Sequence, residues 1–195
     1  MTNRKLIIAA ALVCLANTGF AQTDAPVTVK SEPGKVTASS TVKKTATIVS
    51  IEPATRTVML KDSKGKVVEL VVGEEARNFD QLKVGDVVNV EYSQALTMML
   101  KKTNAPLTAN ETQTLERAPE GAKPGGSASR QVTIMANVIA VNHQSGVVTL
   151  KGPQGNTVDL VVQDPEQLKR IKKGDQIQAV YTEAVAISVE PVAAK

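Results

Sequence analysis

The chain has 195 residues with a formal net charge of +4, and only 2% of its residues are aromatic. A protein that binds nucleic acid normally clusters lysines and arginines on one face and often adds aromatic side chains that stack on bases. The short basic runs of this chain are interpreted as solvated surface; they are Lys43-Lys44, Lys101-Lys102, Lys169-Arg170 and Lys172-Lys173. We therefore expect no nucleic-acid partner.

The N-terminal segment has the pattern of a secretory signal peptide. Arg4 and Lys5 precede an apolar run from Leu6 to Ala16, and Gly19-Phe20-Ala21 supplies the small residues that a signal peptidase reads. We expect residues 1–21 to be removed by cleavage after Ala21, which places the protein in the periplasm. The apolar run is too short for a permanent helix through a hydrocarbon core about 30 Å thick, so no transmembrane span is expected in the mature chain.

The mature chain that would follow this cleavage contains no thiol, because Cys14 is the only cysteine. Disulfides and redox chemistry are thus excluded for the mature protein, and its stability must come from packing. Residues 22–31 are predicted to form a disordered leader.

The rest of the chain contains an internal repeat. LKVGDVVNVEY from Leu82 returns 89 positions later as IKKGDQIQAVY from Ile171, and TVMLKDSKGKVVELVV returns as VVTLKGPQGNTVDLVV. Self-similarity on this scale indicates tandem structural units. We predict one unit over residues 32–100 and another over residues 123–192. Residues 101–122 are predicted to form a linker with at most one helical turn.

Within each copy the apolar residues alternate with a period of two, which is typical of strands. Val68 and Leu70 illustrate the alternation in the first copy. The sequence DPEQL, which begins at Asp164, predicts a short helical turn, since Asp can cap a helix and Pro suits its first position. Phe79 and Leu168 fall at matching places and are predicted to plug one end of each unit.

The pairs Gly85-Asp86 and Gly174-Asp175 are predicted to turn the chain into the fourth strand of each copy. The order of elements predicts an all-β protein of two tandem small five-stranded OB-like β-barrels. Each barrel has a short helical turn before its fourth strand.

The segments ATIVSIEPATRTVMLKD and KGPQGNTVDLVVQDPEQLKRIKKGDQIQAVYTEA resemble a family of secreted proteobacterial proteins over nearly the whole mature chain. That resemblance implies secretion and supplies no activity. Each copy is also more loosely similar to the periplasmic copper chaperone of copper and silver efflux systems, an OB-like barrel. The copper-chaperone family binds copper through a His, two Met and a Trp on its second and third strands. The corresponding strands of this chain contain neither His nor Trp.

The candidate binding residues are those that recur between the copies or follow the recurring tyrosines; they are Lys61, Tyr92, Gln94, Lys151, Tyr181 and Glu183. A tyrosine that ends a core strand needs a partner for its hydroxyl, and the residues two positions later are the nearest candidates. Two interpretations stay open at this point: a structural hydrogen bond in each copy, or a binding surface that both copies share.

Metal and catalytic residues are scarce. Met98, Met99 and His143 are the candidate ligands for a soft metal, although a methionine on a strand is more often a core residue. No nucleophile with an adjacent base and no phosphate-binding loop is recognised, so we expect no catalytic residues, no cofactor and no enzyme activity. The sequence favours a non-enzymatic protein that binds an envelope protein or another envelope component, with copper handling as the alternative.

Overall fold

The structure is a computed structural model that describes residues 5–6, 25–74 and 76–191. The described chain is all-β, with two short helical segments. Its strands are β1 (Lys5–Leu6), β2 (Val27–Glu32), β3 (Lys35–Glu52), β4 (Thr57–Asp62), β5 (Val67–Val71), β6 (Val87–Lys101), β7 (Ala109–Arg117), β8 (Gly125–Asn142), β9 (Val147–Lys151), β10 (Thr157–Val161) and β11 (Gln176–Glu190). The predicted cleavage site after Ala21 lies outside the described residues, as does all of the predicted signal peptide except Lys5 and Leu6.

Hydrogen bonding orders the strands as β1-β10-β9-β8-β11-β6-β3-β4-β5, while β2 pairs with β3 and β7 pairs with β8. This order does not return to its first strand in the part of the chain that is described. The hairpins β3-β4-β5 and β8-β9-β10 are antiparallel, and β1 joins β10 in parallel.

The chain forms two compact units, and neither is a continuous stretch of sequence. Of the described residues, the first unit contains 5–6, 25–40, 95–112 and 131–182. The second unit contains residues 41–74, 76–94, 113–130 and 183–191. Each unit therefore combines most of one repeat copy with the outer strand segments of the other copy, an exchange that the sequence alone does not indicate.

The core of the first unit consists of eight buried apolar residues; they are Ala136, Val138, Val148, Leu150, Leu160, Leu168, Ile171 and Ile177. Val148 and Leu150 are buried on β9 while Thr149 between them is only partly buried, as the predicted alternation requires. Full burial of one such side chain stabilises a fold by about 1.5–3 kcal/mol.

The core of the second unit includes Ile48, Val58, Phe79 and Val88, which are 1% to 7% exposed. Arg56 adds a polar brace beside this core. Its guanidinium donates to the carbonyls of Val72, Gly73 and Ala76 at 2.9–3.0 Å and lies 4.7 Å from the centroid of the Phe79 ring. These contacts hold the chain after β5 against the buried ring, by hydrogen bonds and by a cation–π interaction.

Both predicted helical turns are present. In the first unit, helix α1 (Pro165–Arg170) begins at Asp164, whose carboxylate accepts a hydrogen bond from the Glu166 amide at 2.9 Å. In the second unit, Phe79–Gln81 forms a single 3₁₀ turn. Phe79 and Leu168 are each 6% exposed, so both turns bury the apolar residue that the sequence marks.

Two predicted irregular segments are strands instead. Part of the expected disordered leader forms β2, which pairs with residues 35–40 of β3 through a tight turn at Gly34, where φ is +74°. Part of the expected linker forms β7, which pairs with β8. Both strands are exposed along their whole length, so no buried apolar face marks them in the sequence.

A β-bulge and a Gly-Asp turn occur together in each unit. The pairing of β3 with β4 shifts between Ile48 and Ser50, and the pairing of β8 with β9 shifts between Val138 and Ala140. The Ile48 amide donates to the Asp86 carbonyl at 2.9 Å, and the Gly85 amide donates to the Ile48 carbonyl at 2.8 Å.

The second repeat copy reproduces this arrangement. The Val138 amide donates to the Asp175 carbonyl at 2.8 Å, and the Gly174 amide donates to the Val138 carbonyl at 2.9 Å. Ile48 and Val138 are each 1% exposed, so their peptide groups need protein partners. The Gly-Asp turns supply those partners, and Gly174 can do so because it adopts a φ of +94° that glycine tolerates.

Each turn is closed by its aspartate, whose carboxylate accepts a backbone amide and a lysine. Asp86 Oδ2 accepts the Lys83 amide at 2.8 Å and the Lys123 ammonium at 2.6 Å. Asp175 Oδ2 accepts the amide of Lys172 at 2.8 Å and pairs with the ammonium of Lys102.

In the described residues, no helix is both long enough and apolar enough to cross a membrane.

Replacement of Asp175 by Asn should destabilise the protein at neutral pH and flatten its acid response. Burial acts to raise the pKa of Asp175. The bonds from Lys102 and from the Lys172 amide, together with the charges of both lysines, outweigh burial and hold the pKa below 3.8. The stabilisation is therefore present above that pH and is lost as the pH falls through the lowered pKa. We expect Asp175→Asn to cost about 2 kcal/mol at pH 7, the scale of a hydrogen bond to a charged group.

Urea unfolding at intervals between pH 7 and pH 2 measures both effects. Lys102→Met is the matched control, since it removes the cation and keeps the carboxylate; its acid midpoint should move upward. An Asp175→Asn protein that loses as much stability in acid as the parent would contradict the assignment.

Candidate functional site

Three of the predicted binding residues meet in the second unit. Tyr92 lies on β6, and its hydroxyl donates to Glu183 Oε1 on β11 at 2.6 Å. The side-chain amide of Gln94 donates to the same hydroxyl oxygen. All three side chains are half-buried, so the hydroxyl lies at the edge of the core and links β6 to a strand of the other repeat copy.

The sequence reasoning identified half of this arrangement. Gln94 lies two positions after Tyr92 on the same face of the strand, as expected. Glu183 was expected to serve Tyr181 in its own copy, but it bonds to Tyr92 because residues 183–190 of β11 complete the second unit. Tyr181 belongs to the first unit and is also half-buried.

The two recurring lysines lie at strand ends. Lys61 is exposed near the end of β4 in the second unit, and Lys151 is exposed at the end of β9 in the first unit. The two lysines thus belong to different compact units. A binding role for them stays a prediction.

The candidate metal ligands all fall in the first unit. Met98 and Met99 are partly buried on β6, and Met98 packs against the apolar core. His143 is exposed in the turn between β8 and β9. No group of three or more His, Cys, Asp or Glu side chains suited to a metal ion occurs among the described residues.

Strand β5 is an exposed apolar strand that the sequence did not predict to be exposed. Every residue from Val67 to Val71 is exposed, and the four apolar side chains are 44% to 65% exposed. Among the described residues the strand is the last in its hydrogen-bonding order, with β4 on one side. The alternation of Val68 and Leu70 predicted that one face of the strand is buried, but both side chains are exposed. Whether such a face is covered depends on the packing of other elements against it, which the alternation does not specify.

The matching strand in the first unit differs. Leu160 on β10 is 8% exposed, and the second edge of β10 carries β1, where Lys5 pairs with Asp159 and Leu6 pairs with Leu160. β1 lies within the predicted signal peptide, so this partner of β10 would be absent after cleavage.

A second feature is a pocket of about 480 Å³ in the first unit, which we call the basic pocket. Pro33, Gly34 and Leu100 contribute its uncharged lining. Its charged lining consists of four cations: Lys102, Lys169, Arg170 and Lys172. These basic runs were predicted to be solvated surface. The sequence does not show that they form one pocket, because only the fold brings Lys102 beside residues that are about 70 positions later.

Comparison of the chain with protein-family models, with curated proteins and with solved structures finds no match.

Replacement of Tyr92 by Phe should weaken the second unit by about 1 kcal/mol, the usual net value of one hydrogen bond. The change leaves the Glu183 carboxylate and the Gln94 amide without the hydroxyl that joins them. Denaturant unfolding of Tyr92→Phe, Glu183→Gln and the double variant measures the coupling. We expect the double variant to lose less stability than the sum of the single variants.

Tyr181→Phe is the matched variant in the other copy. If the tyrosine bonds are purely structural, both variants lower the stability of the protein and leave the binding of any partner unchanged. Unchanged stability in Tyr92→Phe, combined with the loss of a binding partner, would make the tyrosine a binding residue instead.

Proposed function

We propose that this protein is a non-enzymatic binding protein of the bacterial envelope, whose binding element is the exposed edge of β5. The proposed partner is an envelope protein that presents an extended segment with apolar residues at alternate positions. Such a segment would add to the sheet beside β5, in the manner of other proteins that recognise peptides through a free strand edge.

The main support is the exposure of β5 on both faces. Natural proteins usually protect an edge strand with charges, proline or a covering element, because an unpaired edge attracts other strands. β7 follows this pattern, since it is exposed but mostly polar. β5 has the sequence VVELV, in which Glu69 is the one charged residue.

Among the described residues, the repeat places no further strand beside the equivalent edge in the mature protein. Strand β10 pairs with β1, but β1 lies in the predicted signal peptide and would be removed by cleavage, so the proposal depends on the exposure of β5 alone. A partner at β5 would pair with its backbone through hydrogen bonds, and it would cover Val68 and Leu70 on one face or Val67 and Val71 on the other. The backbone bonds would supply affinity, and the side chains would supply specificity.

The proposed location in the bacterial envelope is inferred from the sequence. The signal-peptide pattern and the resemblance to secreted proteobacterial proteins support a periplasmic location. The order of strands in each copy supports descent from a small OB-like barrel, a fold that commonly serves binding.

Site-specific crosslinking tests the proposal. A photoreactive amino acid at Val71, which is 65% exposed, should form an adduct with one defined protein in intact cells. The same amino acid at Leu115, which is 64% exposed on β7, serves as the matched control and should form no such adduct. A second variant, Val68→Lys, should abolish the adduct at position 71, because a buried lysine at the new strand pair is costly.

Three results would reject this function. They are the absence of an adduct at position 71, equal adducts from positions 71 and 115, and an adduct that contains only a second copy of this chain. Thermal unfolding of the Val68→Lys protein checks that the variant is folded, which we expect because Val68 is 48% exposed.

A further inference from the structure

We propose that the basic pocket of the first unit binds an oxyanion of the phosphate type. The site is independent of β5, which belongs to the second unit. The ligand would be either a free phosphate compound or the headgroup of an anionic lipid, since both present the same charged oxygens.

The walls of the pocket are fixed by buried polar contacts. Gln167, which is 9% exposed, accepts the Gly34 amide at 2.9 Å and donates to the Glu32 carbonyl at 2.6 Å. It also donates to Ser31 Oγ at 3.1 Å. This side chain therefore holds the turn between β2 and β3 against α1, so that one wall of the pocket is positioned before any ligand arrives.

The basic residues of the lining carry the charge. Lys102 is held by its bonds to the Arg170 carbonyl at 2.8 Å and to the Asp175 carboxylate. Lys169 pairs with Glu166, but the two side chains are 68% and 70% exposed, so this pair is weak in water. In the described part of the chain, no ion pair or side-chain hydrogen bond is recorded for Arg170 or Lys172, and both residues are exposed.

The balance of charge favours an anion. Four cations line the pocket, and the carboxylates that engage them are Asp175 and Glu166. The pocket therefore has a net excess of two positive charges; the charge of Lys172 also acts on Asp175, which leaves Arg170 as the cation that no carboxylate of the described residues engages. A guanidinium can donate two parallel hydrogen bonds to a phosphate, and an ammonium adds a mobile point charge beside it.

The second unit serves as an internal comparison. It has a pocket of about 310 Å³ that includes Pro124 and Gly125, the repeat equivalents of Pro33 and Gly34. The charged residues of that pocket are mixed: Glu116, Arg117 and Lys123. The positions equivalent to Lys169 and Arg170 are Asp80 and Gln81.

Lys172 recurs as Lys83 in the other copy, whereas Lys169 and Arg170 have no basic equivalent there. Both Gly-Asp turns form the same backbone hydrogen bonds, so the turn does not require the charges at positions 169 and 170. We therefore attribute the extra positive charge on α1 to a ligand rather than to the fold.

Calorimetric titration with inorganic pyrophosphate tests the site. The double variant Arg170→Gln/Lys172→Gln removes two cations that form no side-chain hydrogen bond among the described residues, and it introduces at position 170 the residue found at position 81. We expect pyrophosphate to bind about tenfold more weakly to this variant, and binding to the parent to weaken as salt rises. The backbone amide of Lys172 still bonds to Asp175, so thermal unfolding should stay close to that of the parent.

The matched control is Lys64→Gln/Lys66→Gln, which removes the same charge from an exposed turn in the second unit. It should leave pyrophosphate binding within about twofold of the parent. Equal weakening in both double variants would show a general effect of net charge and would overturn the proposal. The absence of binding to both pyrophosphate and anionic vesicles would overturn it as well.

Sedimentation with vesicles separates the two ligand sources. Vesicles of phosphatidylcholine that contain phosphatidylglycerol should retain the parent and release Arg170→Gln/Lys172→Gln if a lipid headgroup is the ligand. Binding to pyrophosphate without binding to these vesicles would identify a free phosphate compound. Because β5 is intact in every variant, crosslinking from Val71 should be unchanged, which keeps this test separate from that of the proposed function.

Discussion

The backbone bonds between a strand bulge and a Gly-Asp turn organise each unit of this protein. A bulge bends its strand, and it leaves peptide groups that the neighbouring strand does not satisfy. Ile48 and Val138 lie at the start of the two bulges and are buried, so an unmade hydrogen bond of their peptide groups would be costly. The turn supplies partners for these groups, its glycine permits the tight geometry, and its aspartate closes the turn with a lysine that is distant in sequence.

Local sequence signals predicted the parts of the fold that depend on nearby residues. The alternation on β9, the cap at Asp164 and the Gly-Asp turns are all read within a few positions, and each is present. β2 and β7 were missed because both strands are exposed along their whole length, so no buried apolar face marks them, although each pairs with the next strand in the chain. The repeat identified Gln94 as a partner of Tyr92, whereas the bond from Tyr92 to Glu183 joins residues that are 91 positions apart and depends on the fold.

The two copies share the residues that determine their backbone structure and differ in some of their surface residues. The residues that fix turns, bulges and core strands recur, whereas some residues at solvent positions differ. Val67 of β5 corresponds to Thr157 of β10, and Asp80 and Gln81 correspond to Lys169 and Arg170. Shared interior and diverged exterior are what is expected when packing constrains one set of positions and binding partners act on the other.

The exchange of strand segments between the copies has a consequence for ancestry. Residues 35–40 and 95–100 come from the first copy but complete the first unit around the second copy, and residues 125–130 and 183–190 do the reverse. A chain with a single copy would therefore lack the strands that finish its own core. Two identical molecules could supply them to each other as a strand-exchanged dimer, and fusion of the two genes would then make the partner permanent.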